Sequence, residues 1–144
     1  MSIVDEFKKR TEKYFHSIGG ITPQDIEDVV FSHAISTIDE CGIDAEIINV
    51  VLTGSRCRGI ENIDSDIDVV VEYRGDINED ALFSMLNESC LEIGGISVDI
   101  NPITEHKTGT LETYLPGVEE YLAKKSLKKS DADMAPRLMR HRKR

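Results

Sequence analysis

One stretch limits what this chain can fold into more than any other: VVLTGSRCRGIENIDSDIDVVVEY, residues 50–73. A largely apolar run over 47–52 leads to Gly54-Ser55. After ten intervening residues Asp66 and Asp68 open a second apolar run, Val69–Val71. Strand side chains alternate between faces, so Asp66 and Asp68 project from one face, about 7 Å apart, while Ile67, Val69 and Val71 enter a core. Two carboxylates on one face suit Mg²⁺, a hard ion that takes oxygen ligands and keeps waters and substrate phosphates among them. Gly54 has no Cβ and lets a phosphate approach the backbone. Ser55 adds a hydroxyl at a turn whose free N–H groups make an anion-binding concavity. The spacing predicts one strand ending in a triphosphate site and a neighbour holding the metal that neutralises it.

Three other readings of these residues fail. As a calcium loop starting at Asp64, the sequence has Val69 where glycine is needed and Gly75 where glutamate is needed. No Gly-x4-Gly-Lys-Ser/Thr loop is present. Ser55 lacks the Gly-x-Ser-x-Gly elbow of a nucleophilic serine.

Gly54-Ser55-x10-Asp66-x-Asp68 resembles the signature of the polymerase-β-like nucleotidyltransferase superfamily. The form Gly-Ser-Arg-x-Arg-Gly followed by Ser-Asp-Ile-Asp is most similar to its small bacterial members, the minimal nucleotidyltransferases, which include antitoxins that transfer AMP to a partner toxin. The resemblance covers residues 46–101. It implies an α/β (α+β) fold, a small mixed sheet of three or more strands with flanking helices. It further implies an enzyme that uses two Mg²⁺ ions and an NTP, foremost ATP, and releases pyrophosphate. A third carboxylate is expected on a neighbouring strand, and Asp99 is the candidate. Ile96, Val98 and Ile100 alternate with Ser97, Asp99 and Asn101, the pattern of a half-buried strand that Pro102 ends. Asp66, Asp68 and Asp99 are thus the expected catalytic and metal-binding residues, and Gly54, Ser55, Arg58 and Ser65 the expected nucleotide-binding ones. Arg58 resembles the second arginine of the family pattern, and Ser65 is expected to orient Asp66 by hydrogen bonding. Arg56 and Arg58 are the only Lys or Arg between positions 14 and 73, and which of them faces inward is left open.

The flanks are read from local pattern. Residues 3–18 form an amphipathic helix through Ile3, Phe7, Tyr14 and Ile18, stopped by Gly19-Gly20. Thr22-Pro23-Gln24-Asp25 starts a second helix, whose apolar face is Ile26, Val29, Val30, Ile35 and Ile38 and whose end is Gly42. Strands follow at about 46–53, 66–73 and 96–101. Asn78 caps a helix over about 79–91, with Leu82, Phe83, Leu86 and Cys90 inward. Residues 110–129 are helical, with Thr110 as cap and Pro116 either kinking one helix or starting another. His33 reads as an ordinary helix residue, and Tyr114 and Tyr121 as core or groove residues, with base stacking the functional alternative. The domain spans 1–129, comprising two N-terminal helices over 3–42, a core over 44–102 and a C-terminal helical segment over 110–129; a basic tail follows over 130–144.

Charge is uneven. Residues 1–123 carry eight Lys or Arg against 25 Asp or Glu, net −17, and residues 124–144 carry net +7. An acidic body repels nucleic acid, leaving the tail as the only handle for it, and favours a basic partner. No apolar run approaches a membrane span, and MSIVDEFKKR is not a secretory signal, so cytoplasm is the expected location. The three cysteines suggest neither disulfide nor zinc; Cys57 is expected to be exposed, Cys41 and Cys90 part-buried. A protein hydroxyl is the expected acceptor, by analogy with the antitoxins, because 144 residues leave little room for a small-molecule domain. Two helices before the first strand depart from the smallest relatives. A second copy of the chain is a further candidate partner. The competing functions are an inactive nucleotide- or partner-binding module and an RNA-end or small-molecule nucleotidyltransferase.

Overall fold

The computed structural model describes residues 2–134, with side chains to residue 127. Helices α1 (Ile3–Tyr14) and α2 (Pro23–Cys41) precede strand β1 (Ala45–Thr53). A 3-10 turn (Ser55–Arg58) and a loop lead to β2 (Ile67–Gly75). Then come α3 (Glu79–Asn87), β3 (Glu92–Ile93), β4 (Ile96–Ile103) and α4 (Leu111–Met134). The strands make one mixed sheet in the order β1-β2-β4-β3, with β2 and β4 parallel and the outer pairs antiparallel. This is the α/β architecture expected, extended by the two-residue β3. Helices α2 and α3 pack on the sheet, while α1 packs against the 3-10 turn and α4.

Local chemistry sets the helix ends. Thr22 Oγ1 accepts the Asp25 N–H at 3.1 Å and Asp25 Oδ2 accepts the Thr22 N–H at 2.9 Å, a capping box that draws the Asp25 carboxyl below its usual range. Gly42, at φ 64°, stops α2 in the left-handed region. Helix α1 ends at Tyr14 rather than Ile18. Phe15 turns extended and packs on the core, and Ile18 pairs with Ile21 in an isolated bridge. On α2, Ile26, Val30, Ala34 and Ile38 are buried, whereas Val29 and Ile35 stay largely exposed. The stripe that meets the sheet also takes in Glu27, 5% exposed. Its Oε2 accepts the Leu52 N–H at 2.8 Å, and Lys8 Nζ lies 3.6 Å from Oε1. Burial raises the Glu27 carboxyl above its usual range, opposed by the Leu52 bond and by Lys8.

Helix α3 is capped by Asn78 as expected, its Oδ1 accepting the Ala81 N–H at 2.7 Å, but it stops at Asn87 instead of near 91. Leu82 and Leu86 are buried; Phe83 and Cys90 are exposed. The Asn87 amide explains the stop. Its Nδ2 donates to Phe83 O and Ile100 O, both at 2.8 Å, and its Oδ1 accepts the Ile100 N–H at 2.9 Å. It thereby replaces the strand that β4 lacks once pairing with β3 ends at Ser97. Pro102 does not end the strand but lies within it, opposite Val71. The Ile100 N–H points to the outer edge, so the missing donor two residues on falls where no strand needs it.

Cys57 is buried, not exposed, and burial pushes its thiol up to about 12; Cys41 and Cys90 are exposed, not part-buried. Thr110 Oγ1 accepts the Thr113 N–H at 3.4 Å and Thr113 Oγ1 accepts the Thr110 N–H at 3.1 Å. Glu72 Oε1 takes the Leu111 N–H at 3.1 Å. From this start α4 runs as one helix with Pro116 inside it, past residue 129 to Met134. Most of the expected tail, residues 135–144, lies outside the described residues. Among the described residues no helix is long and apolar enough to cross a membrane.

Candidate active site

Sheet register brings the acids together. Asp68 of β2 stands opposite Thr53 on one side and Asp99 of β4 on the other. Asp66 lies just ahead of β2, two residues from Asp68. Asp68 is half-buried, while Asp66 and Asp99 are exposed. Burial raises the Asp68 carboxyl above its ordinary value, and the charges of Asp99 and then Asp66 raise it further. Among the described residues no three Asp, Glu, His or Cys side chains close into a metal cage by themselves.

Gly54 precedes the 3-10 turn at φ 73°, ψ −173°, and no side chain caps that turn. A Cβ on Gly54 would run into the Asp68 side chain, 2.8 Å from its Cβ and 2.9 Å from its Cγ. The glycine is therefore required by Asp68 itself, a reason beyond the phosphate approach expected from sequence. Ser55, 6% exposed, donates its hydroxyl to Ser65 Oγ at 3.3 Å. Ser65 Oγ accepts the Asn62 N–H at 3.0 Å as well, so its hydroxyl bonds the loop rather than Asp66. The positioning of Asp66 comes instead from Arg56. Its Nε and Nη2 donate to the Ser65 carbonyl at 3.1 and 2.9 Å, fixing the peptide that joins Ser65 to Asp66.

Arg58 is not brought to the acids. Its Nη1 donates to Thr11 Oγ1 at 2.8 Å and to Cys57 O at 2.9 Å, and its Nη2 is 3.0 Å from Glu119 Oε1. Its guanidinium lies over the Phe7 ring, 4.4 Å from the centroid. Phosphate contact by Arg58 does not fit this placement, because Nη1 is bonded to α1 and the turn and the ion pair with Glu119 turns the guanidinium toward α4.

Asp68 and Asp99 open onto a cleft of about 550 Å³, whose lining does not include Asp66. Gly54, Asp68 and Asp99 line one wall, and Tyr114, Val118 and Tyr121 of α4 the other. Asn101, on the same strand face as Asp99, and Thr108 continue it. Sequence reading passed over both. Asn101 was recoverable from the alternation that marked Asp99; Thr108 was not, because it is placed by a distant glutamate. Glu79 Oε2 accepts the Thr104 and Thr108 N–H groups at 2.8 and 3.0 Å, and its Oε1 the Thr108 hydroxyl at 2.6 Å. Burial alone would raise the Glu79 carboxyl, but these bonds take it below its usual range.

A sequence model described as a nucleotidyltransferase domain matches residues 36–131, from the second half of α2 into α4. The chain belongs to this family. The matched segment of the nucleotidyltransferase domain contains the turn, all three acids and the cleft wall of α4, and leaves α1 outside it. Comparison with curated proteins and with solved structures gives no match.

Proposed function

We propose that this nucleotidyltransferase domain is a Mg²⁺-dependent enzyme that transfers an NMP, AMP foremost, from an NTP to a hydroxyl on a protein. The observation that carries the reading is the in-register pair Asp68–Asp99 opening, beside Gly54, onto one cleft. The donor set supports a hard divalent cation: it offers carboxylate oxygens alone, and Asp68 is held back from ionisation by burial and by its two acidic neighbours. Asp66, Asp68 and Asp99 would hold two such ions. When bound, Mg²⁺ supplies positive charge to the triphosphate and to the pyrophosphate that leaves, and lowers the pKa of the attacking hydroxyl.

The chain's own part is positioning. The turn at Gly54-Ser55 receives the triphosphate, and Arg56 holds Asp66 through the Ser65 peptide. Asp99, exposed on β4, faces the acceptor hydroxyl and receives its proton. The hydroxyl oxygen bonds to the α-phosphorus, the bond from that phosphorus to the β-bridging oxygen breaks, and pyrophosphate carries away the electron pair. Alignment and charge stabilisation supply most of the acceleration in such a displacement. A protein acceptor is supported by the resemblance to AMP-transferring antitoxins, and the acidic body favours a basic partner.

The absence of a preformed three-carboxylate cage among the described residues favours a second reading, a nucleotide-binding module without turnover. One incubation separates the two: the protein with Mg²⁺ and each α-labelled NTP, with and without cell lysate, beside Asp68→Asn. Label on a protein band with wild type alone supports transfer and reports base and target. Bound nucleotide with no label and no pyrophosphate supports the binding module, and label on RNA supports an RNA-end transferase.

A further inference from the structure

An enzyme that transfers to hydroxyls either protects those of its own cleft or modifies them. Five hydroxyls line this cleft. Three of them are committed. Thr53 Oγ1 donates to Asp68 O at 3.3 Å, Thr108 Oγ1 to Glu79 Oε1 at 2.6 Å and Thr113 Oγ1 to Thr110 O at 3.0 Å. The other two belong to Tyr114 and Tyr121, and neither has a hydrogen-bond partner among the described residues. These two rings are held differently. Tyr114 is half-buried and packs on the core. Tyr121 is 63% exposed and takes no part in the core.

A side chain on a helix leans over the turn that precedes it. For Tyr121 that turn carries Gly117 and Val118, four and three residues earlier, and both line the cleft. A Cβ on Gly117 would meet nothing within 4 Å, so the Tyr121 ring has open space to swing into. Only proline is less favourable than glycine inside a helix, so α4 keeps this opening against its own stability. Gly54, Asp68 and Asp99 line the same cleft from the sheet. We infer that Tyr121 is itself an acceptor, and that the domain attaches a nucleotide to it within one chain. This rests on the nucleotidyltransferase reading above. The Tyr121 hydroxyl oxygen bonds to the α-phosphorus of the NTP, and the bond from that phosphorus to the β-bridging oxygen breaks. Pyrophosphate leaves with the electron pair, and Asp99 takes the phenolic proton. The product is a phosphodiester that tethers the nucleoside to α4 at the cleft.

The test incubates the purified full chain with Mg²⁺ and each NTP in turn, with no other protein, and reads intact mass, fragment mass and released pyrophosphate. Wild type should gain the mass of one nucleoside monophosphate per chain, on Tyr121, with one pyrophosphate for each. The rate per chain should not change with protein concentration, because acceptor and acids belong to the same molecule. Tyr121→Phe should lose the adduct yet melt as wild type does, because the hydroxyl it removes bonds nothing among the described residues. Tyr14→Phe, which lies on α1 outside this cleft, should gain the adduct as wild type does. An adduct that persists in Tyr121→Phe, maps to another residue or forms faster per chain at higher protein concentration overturns the inference. So does a wild type that stays unmodified while labelling a molecule of a cell lysate, and that outcome leaves nucleotidyl transfer standing. No adduct, no labelled molecule and no pyrophosphate overturn both.

Discussion

At the scale of single residues, Asp68 is in tension with its surroundings. Its folded-state pKa is raised, by burial first, then by Asp99 and Asp66. The stability associated with its protonated form is therefore fully present below the ordinary value of 3.8 and is lost as pH rises through the folded value. Asp68→Asn removes that loss. Without metal, the melting temperature of the variant should exceed that of wild type by a margin that grows as pH climbs from about 4 toward neutrality. Mg²⁺ should raise the melting temperature of wild type and leave Asp68→Asn almost unmoved, while transfer by the variant should vanish in the α-label assay. Gly54→Ala should be worse than inert. It places a side chain at φ 73° and against Asp68, and should cost about 1–3 kcal/mol in urea unfolding as well as activity.

At the scale of elements, β4 keeps its place through one side chain. Asn87 satisfies both backbone groups of Ile100, the residue after Asp99. Asn87→Ala strands those groups and should cost about 1–3 kcal/mol, with a drop in Mn²⁺ affinity measured by titration, because Asp99 loses its fixed seat. Glu27 accepts the Leu52 N–H near the end of β1 in a similar way. Glu27→Ala should lose a similar amount, whereas Glu27→Gln, which keeps an acceptor and sheds the buried charge, should melt near or above wild type at neutral pH. These two side chains mark where sequence reading runs out. Alternation and spacing are local, so the strands and the shared face of Asp68 and Asp99 were legible. Asn87 acts on a residue thirteen positions on and Glu27 on one 25 positions on, and neither partner exists until the sheet forms. The extra β3 and the early end of α3 escaped for the same reason.

Across the whole molecule, Arg58 joins three parts. It holds Thr11 and Phe7 of α1, Cys57 of the turn and Glu119 of α4. Its match to the second arginine of the family pattern suggested a phosphate ligand, and only the arrangement of α1 and α4 around it reveals a brace. Arg58→Ala should lower stability by about 2 kcal/mol and speed amide exchange in α4, with loss of nucleotide affinity following from α4 and not preceding it. The two margins of the sheet bear on what this molecule can meet. Along the outer side of β1 the Leu52 donor is taken by Glu27. Along that of β4, Leu91 takes the Val98 donor, Asn87 occupies Ile100 and Pro102 has none to give. At these positions the edges have no free donor to offer an incoming strand. If the acceptor is a protein, as proposed, it would not add an extra ribbon at these positions but would present its hydroxyl as an isolated side chain at the mouth between the turn and α4.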